Sequence, residues 1–250
     1  MSRLADRIER AARPGAAPIG FGRAVERRTL PTLLCLLRLD KEQVSKAGDA
    51  AAGVADAVII SDLDAGKLGQ AIKKMGDMPV GLRMGDAERA AVAAAREQGA
   101  DFVLLDQGAL AEAVLEQGVG LVLSVGTDTG DTDLRVLGGL PLEALEVPAV
   151  GEPFTLREML ELRRLAVLSQ TPLLVEVQPE IDASRLQALR EAGAIGVILD
   201  GKHVDELGAL REAVLSLPPR GRRREERAEA LLPSLTAVPV EEEEEEPEYP

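Results

Sequence analysis

Eight polar or charged residues occupy equivalent places in eight aliphatic runs, and together they could do chemistry. Arg38 lies in LLRL, Arg83 in GLRM, Ser124 in LVLSV and Glu176 in LLVEV, each followed by one aliphatic residue before the run ends. The runs between them end VIIS, VLLD, LEV and VILD, which supply Ser61, Asp106, Glu146 and Asp200. Two guanidinium groups can hold a phosphate or carboxylate in bidentate fashion. A carboxylate such as Glu176, Asp106 or Asp200 can then act as acid or base. A small anionic metabolite, phosphorylated ones included, is the expected ligand, with lyase or isomerase chemistry and Ser124 as a further ligand contact. The same residues support two other readings. One is a polar plug in which Arg38 and Arg83 bridge Glu176, Asp106 and Asp200. The other is a divalent metal held by the hard oxygens of Asp106, Asp200 and Glu146. Charge at the end of an aliphatic run costs several kcal/mol if buried unpaired, so it must be paired, solvated or held for a ligand.

Other reactive residues are few. His203 is the single histidine, so a site needing two His ligands is excluded within the chain, as is a Ser–His triad that does not use His203. It begins the last helical segment, where a helix N-terminus lowers proton affinity, which suits a neutral base. No Lys falls inside an aliphatic run. Lys41 and Lys202 stand just past the first and the last, so Schiff-base chemistry is not indicated. Gly201 and Lys202 could touch a ligand from the final turn. Cys35, the single cysteine, is embedded in TLLCLLRL and reads as a packed core thiol. The loop SVGTDTGDTD (124–133) could bring its backbone close to a ligand. Asp62, Asp64 and Asp86 are expected as helix N-caps, and GFGR (21–24) as a tight turn.

What must position these residues is a repeating alternation. Expected strands are Thr32–Leu39, Ala57–Ser61, Val80–Met84, Phe102–Asp106, Gly120–Val125, Ala144–Val147, Leu173–Val177 and Gly196–Asp200. Helical stretches separate them: LDKEQVSKAGDAAAGVA, DAGKLGQAIKKM, DAERAAVAAAREQG, GALAEAVLEQG, TLREMLELRRLAVLSQ, EIDASRLQALREAG and VDELGALREAVLSL. The link GTDTGDTDLRVLGGLPLE after the fifth strand is poor in helical pattern. Strands apolar on both faces, divided by helices, indicate a parallel sheet covered by helices. Eight such units in under 200 residues imply a (β/α)8 barrel over residues 31–217, whose active sites lie at the strand C-termini. A doubly wound open sheet is the alternative, but its G-x-G-x-x-G fingerprint is absent. GVADAVIIS, GADFVLLD and GAIGVILD repeat one phrase, a helix-ending Gly followed by an aliphatic strand with a polar end.

The last of these phrases carries a family resemblance. GAIGVILDG (193–201) resembles the eighth-strand region of the phosphate-binding (β/α)8 barrels, among them the ribulose-phosphate-binding-like group and the FMN-dependent barrels. Gly193, Ala194, Gly196, Val197 and Gly201 fit, and TPLLVEV (171–177) stands where the seventh strand of those barrels would be. The resemblance implies a phosphate cup at the seventh and eighth strand ends. In place of the usual Gly-Gly turn after the seventh strand, this chain has Gln178-Pro179-Glu180. Proline removes an N–H, and Glu180 and Asp200 add negative charge, so the cup is degenerate.

Composition bounds the rest. Hydrophobic residues make up 46% of the 250, but there is no Trp, one Tyr and three Phe, which disfavours sites that stack rings. Of the net charge of −14, residues 31–217 hold −13, so nucleic-acid binding by the fold is not expected. No run of about 18 apolar residues occurs, so no membrane span is expected, and the cytoplasm is the expected location. No motif names a cofactor. Residues 1–30, with seven Arg, are expected to form a helix that closes one end of the fold, and a basic arm. Residues 218–250 carry an Arg block at 220–227 and six Glu at 241–246, a pattern of a disordered tail or a segment that docks a protein partner. Function is left in two classes: a metabolite-binding enzyme, or a non-catalytic degenerate barrel acting as a scaffold or interaction module.

Overall fold

A computed structural model of the chain describes residues 2–13, 32–44, 51, 53–63, 65–149, 151 and 153–218. Helix α1 spans Arg3–Ala12. It is followed by β1 (Leu34–Leu39), β2 (Ala57–Ile60), α2 (Ala65–Met75), β3 (Val80–Gly85), α3 (Arg89–Glu97) and β4 (Phe102–Leu105). Then come β5 (Gly120–Ser124), α4 (Asp131–Leu137), β6 (Ala144–Val147), α5 (Leu156–Ser169), β7 (Leu173–Val177), α6 (Ala183–Ala192), β8 (Ala194–Asp200) and α7 (Leu207–Ser216). Short 3-10 segments lie at Ala111–Leu115 and Gly201–Glu206. The strands pair in parallel, in chain order, and β8 returns to β1. The chain is a closed eight-stranded (β/α)8 barrel.

Period-two alternation divides the aliphatic side chains into two layers. Leu34, Leu36, Ala57, Ile59, Phe102, Leu104, Val122, Ala144, Leu174 and Ile198 fill the barrel. Cys35, Leu37, Val58, Ile60, Val103, Leu145, Val175 and Val197 face the helices. Burial pushes the Cys35 thiol up to about 11, as befits a core group. Interior packing depends on missing side chains as well as present ones: a Cβ on Gly81 would lie 2.2 Å from the Phe102 ring.

The lower end of the barrel is closed by α1. Leu4, Ile8 and Ala11, one face at helical spacing, join the interior cluster. The helix is held by acids standing immediately before β2, β4 and β6. Asp101 accepts from the Arg3 and Leu4 N–H groups at 2.9 Å each. Glu143 takes the Ser2 hydroxyl at 2.5 Å, while that hydroxyl caps the helix at the Ala5 N–H. Asp56 accepts from the Cys35 N–H at 2.8 Å and from Arg211 at 2.5 Å, with Arg7 3.8 Å away.

Two local expectations are corrected. GALAEAVLEQG forms a short 3-10 segment rather than an α-helix, burying only Ala113, because few residues span β4 to β5. The link after β5, expected to be non-helical, contains α4. Asp131 and Asp133 in its first turn favour the helix N-terminus, and Leu134 anchors it in the core. The expected caps also differ. Glu88, not Asp86, precedes α3, and its side chain makes no cap bond. Asp62 takes a left-handed φ of 55°. Asp64, the GFGR turn, residues 45–50 and 52 of the helical stretch between β1 and β2, and residues 219–250 with their docking expectation lie outside the described residues.

Two outcomes are expected at this floor. Leu4→Ala should lower unfolding free energy by about 2–5 kcal/mol in urea titrations, since the site is fully buried. Burial raises the Glu143 carboxyl above its ordinary 4.5, against the pull of the Ser2 hydrogen bonds. A raised carboxyl binds its proton more tightly in the folded state, so its contribution is greatest below the unfolded value and is lost as pH rises through the folded one. Glu143→Gln should therefore gain on the wild type as pH rises from about 4 to about 7; stability curves that stay parallel would contradict this.

Candidate functional site

The alternation that fills the barrel with aliphatic side chains carries the same inward parity to the strand C-termini. There it places Arg38, Arg83, Glu146 and Glu176 above the interior cluster, with Asp106 one residue past β4. Glu146 is the hub. Its residue is 1% exposed. One of its oxygens, Oε1, accepts from Arg38 Nη2 and lies 3.6 Å from Arg83 Nη1. Arg38 Nη1 donates to Glu176 Oε2 at 2.8 Å, and Arg83 Nη2 to Asp106 Oδ1 at 2.8 Å. The result is one chain of charge, Glu176–Arg38–Glu146–Arg83–Asp106. It climbs from the buried hub to the rim, with side-chain exposure rising from 2% at Glu146 to 18% at Arg38, 29% at Arg83 and 38% at Asp106. Two cations face three carboxylates, so the cluster carries a net −1. Two buried atoms of the chain, Glu146 Oε2 and Arg38 Nε, have no hydrogen-bond partner.

The remaining site residues divide by position. Ser124 is half-buried and lies in register with Glu146 on the neighbouring strand. Asp200 is in register with Arg38, but its carboxylate accepts from the Lys202 N–H at 2.8 Å and caps the 3-10 segment that follows. The polar plug expected from the sequence therefore forms with one substitution: Glu146 takes the place expected for Asp200. Gly201 is buried, and a Cβ there would lie 2.5 Å from Gln43 Oε1 and 2.7 Å from the Arg38 carbonyl. Its glycine lets the β8 turn pass over the end of β1. His203 is partly exposed, and its nearest charged neighbour is Glu206 at 3.9 Å, outside the chain of charge. Lys202 is exposed.

A cleft beside Glu176, lined by Gly151, Phe154, Gln178, Ile181 and Arg185, has a volume of about 20 Å³, room for about one water. Among the described residues, no three His, Cys, Asp or Glu side chains are grouped to hold a metal ion. The divalent-metal alternative loses its ligand set in the same way: Asp200 caps a turn, and Glu146 is taken by two arginines.

Sequence reasoning included Glu146 only as a metal ligand and missed it as the hub. Its signal was present in LEV, a carboxylate at inward parity in a strand of four residues. The floor acids Asp56 and Asp101 were also visible, as the Ala-Asp pair shared by GVADAVIIS and GADFVLLD.

No protein-family profile matches the sequence, and no curated protein matches it. Solved structures do match. A point mutant of the tryptophan synthase alpha-subunit from the hyperthermophile Pyrococcus furiosus superposes with a TM-score of 0.59 at 16% identity, over 72% of this chain and 93% of that one. The structure from a study of the entropic stabilization of that subunit gives 0.58 at 15% identity, over 74% and 97%. At such identity the likeness is one of fold, and it agrees with the (β/α)8 barrel. Among the described residues, no helix is long and apolar enough to cross a membrane.

Removing the hub should be far more damaging than removing the rim. Glu146→Ala leaves Arg38, a half-buried cation, short of its deeper partner, and should lower unfolding free energy by about 3 kcal/mol. Asp106→Asn, at the exposed end, should cost under about 1 kcal/mol. Urea titration of the two variants side by side checks the difference.

Proposed function

We propose that this barrel is a non-catalytic binding module whose mouth is closed by its own ion pairs. The observation that carries this is the occupation of both mouth arginines, Arg38 by Glu146 and Glu176, Arg83 by Asp106 with Glu146 at longer range. An anion entering there must displace a carboxylate from a cluster already net negative, and the adjacent cleft holds about one water. The turn after β7 adds Glu180 and lacks a proline N–H. The sequence expectation of a cytoplasmic location is kept as part of this proposal.

A second reading has one observation in its favour. The Arg83–Asp106 pair stands at the open rim, where an incoming phosphate or carboxylate could exchange with the Asp106 side chain. Under that reading Arg38, Arg83, Ser124, Gly201 and Lys202 contact a small anionic metabolite. Glu176, Asp106 or Asp200 serves as acid or base, with His203 as an outlying alternative, for lyase or isomerase chemistry.

Thermal unfolding at low salt, with inorganic phosphate, glycerol phosphate and a dicarboxylate added singly, separates the two. The module expects no dose-dependent rise in Tm with any of them. A metabolite site expects a rise of about 5 °C or more at saturation, abolished by Arg83→Gln. That second pattern would sink the non-catalytic reading.

A further inference from the structure

We infer that the outer face of α5, widened by the end of α4, is a two-fold interface with a second copy of this chain. The inner face of α5 is spent on the core through Leu162, Leu165 and Ser169. The opposite face of an ordinary surface helix is polar, yet here Leu156, Leu160 and Val167 are 71%, 59% and 54% exposed. At about 100° per residue these three lie within about 40° of one another. Arg163 falls on the same line. Its Nη1 donates to the Glu191 carbonyl at 2.8 Å, which draws the charged end toward α6 and leaves the aliphatic stem in the stripe. At the lower end, a Cβ on Gly138 would lie 2.6 Å from the Ser169 carbonyl, so the ends of α4 and α5 abut. Exposed Val136 and Leu140 extend the patch there. Single exposed aliphatics need no explanation, but a contiguous row does.

Three features select a second copy as the occupant. Residues 156, 160, 163 and 167 are spaced four, three and four, the spacing of a seam between paired helices. That spacing is symmetric about its midpoint, so an antiparallel two-fold sets Leu156 against Val167 of the partner subunit and Leu160 against the aliphatic stem of Arg163 of the partner subunit, with the two copies of Leu160 about 4.5 Å apart along the axis. The contact is self-complementary and closed. Charge agrees. Residues 31–217 carry −13, whereas α5 has three Arg against two Glu, so this is a face on which two acidic barrels approach with reduced repulsion. The size is also adequate. A helix of this length is about 21 Å long, and α4 beside it widens the patch toward the roughly 600 Å² a side that the smallest specific interfaces bury. This inference is independent of either reading of the mouth.

Sedimentation equilibrium of the full chain tests it. The wild type should show a monomer–dimer equilibrium at about 1–100 μM. Leu160→Glu should weaken the dimer at least ~10-fold while leaving circular dichroism, and Tm measured on dilute monomer, unchanged, since the side chain is exposed. In Leu160→Cys, oxidation should link two chains, whereas Leu215→Cys, on exposed α7 surface, should not. A wild type that stays monomeric to about 100 μM overturns the proposal and leaves the stripe to a different chain. A dimer that tolerates Leu160→Glu overturns it as well.

Discussion

A barrel of parallel strands is a tube of side chains, and at each end the inward residues run out of neighbours. The interior of this one is aliphatic, so both ends must be sealed without leaving polar groups unpaired in a low-dielectric medium. At the upper end the seal is Glu146. Its single occupied oxygen faces two guanidinium groups, and each arginine continues to a further carboxylate nearer the rim. Placing a carboxylate that deep is tolerable only because two cations meet it. Equally, two arginines could not point into an aliphatic tube without it. The positions of β1, β3, β4, β6 and β7 at their C-termini are thereby tied to one another.

The lower end solves the same problem by a different route. There the seal is apolar, the Leu4, Ile8 and Ala11 face of α1, and polar groups only hold it in place. Asp101 and Glu143 meet the first turn of α1, where the N–H groups are unpaired within the helix and the dipole favours negative charge. Asp56 joins β1, α1 and α7 through the Cys35 N–H, Arg7 and Arg211. Each acid stands one residue before an even-numbered strand. Strands β4 and β6 thus carry acids at both ends and use them differently: below to dock a helix, above to neutralise arginines.

The barrel was legible because its signals are local. Strand length, period-two alternation and a helix-ending Gly are all written within ten residues, and the strand positions follow from them. Loop structure was less legible. Whether GALAEAVLEQG forms a helix depends on the span between β4 and β5, and α4 forms because Leu134 finds a buried seat, which is a tertiary fact. The mouth was legible in part. Parity identified Arg38, Arg83 and Glu176 together with their carboxylate neighbours. It named Asp200 and not Glu146 as a partner of the arginines, because that choice turns on backbone beyond the strand. Asp200 is followed at once by a 3-10 segment whose first N–H groups need an acceptor, and it satisfies the Lys202 N–H. Glu146 has no such local claim on it and is free to reach the arginines.

Gly201 shows how the same residue can serve two designs. In the barrels that GAIGVILDG resembles, a glycine here lets backbone N–H groups approach a phosphate. In this chain the space that glycine opens is filled from the protein itself, by Gln43 Oε1, a Leu39 methyl and the Arg38 carbonyl, all under 3 Å from where a Cβ would stand. The Gln43 side chain in turn accepts from the Asp40 N–H at 3.0 Å, so the turns after β1 and β8 are locked together. The glycine is needed for closure, and its presence carries no information about phosphate. Arginine is the more discriminating witness, because a guanidinium kept for a ligand must keep donors free. Both mouth arginines direct Nη groups to carboxylates of the same chain, and that pairing, more than the altered β7 turn, is the physical ground for reading the mouth as closed.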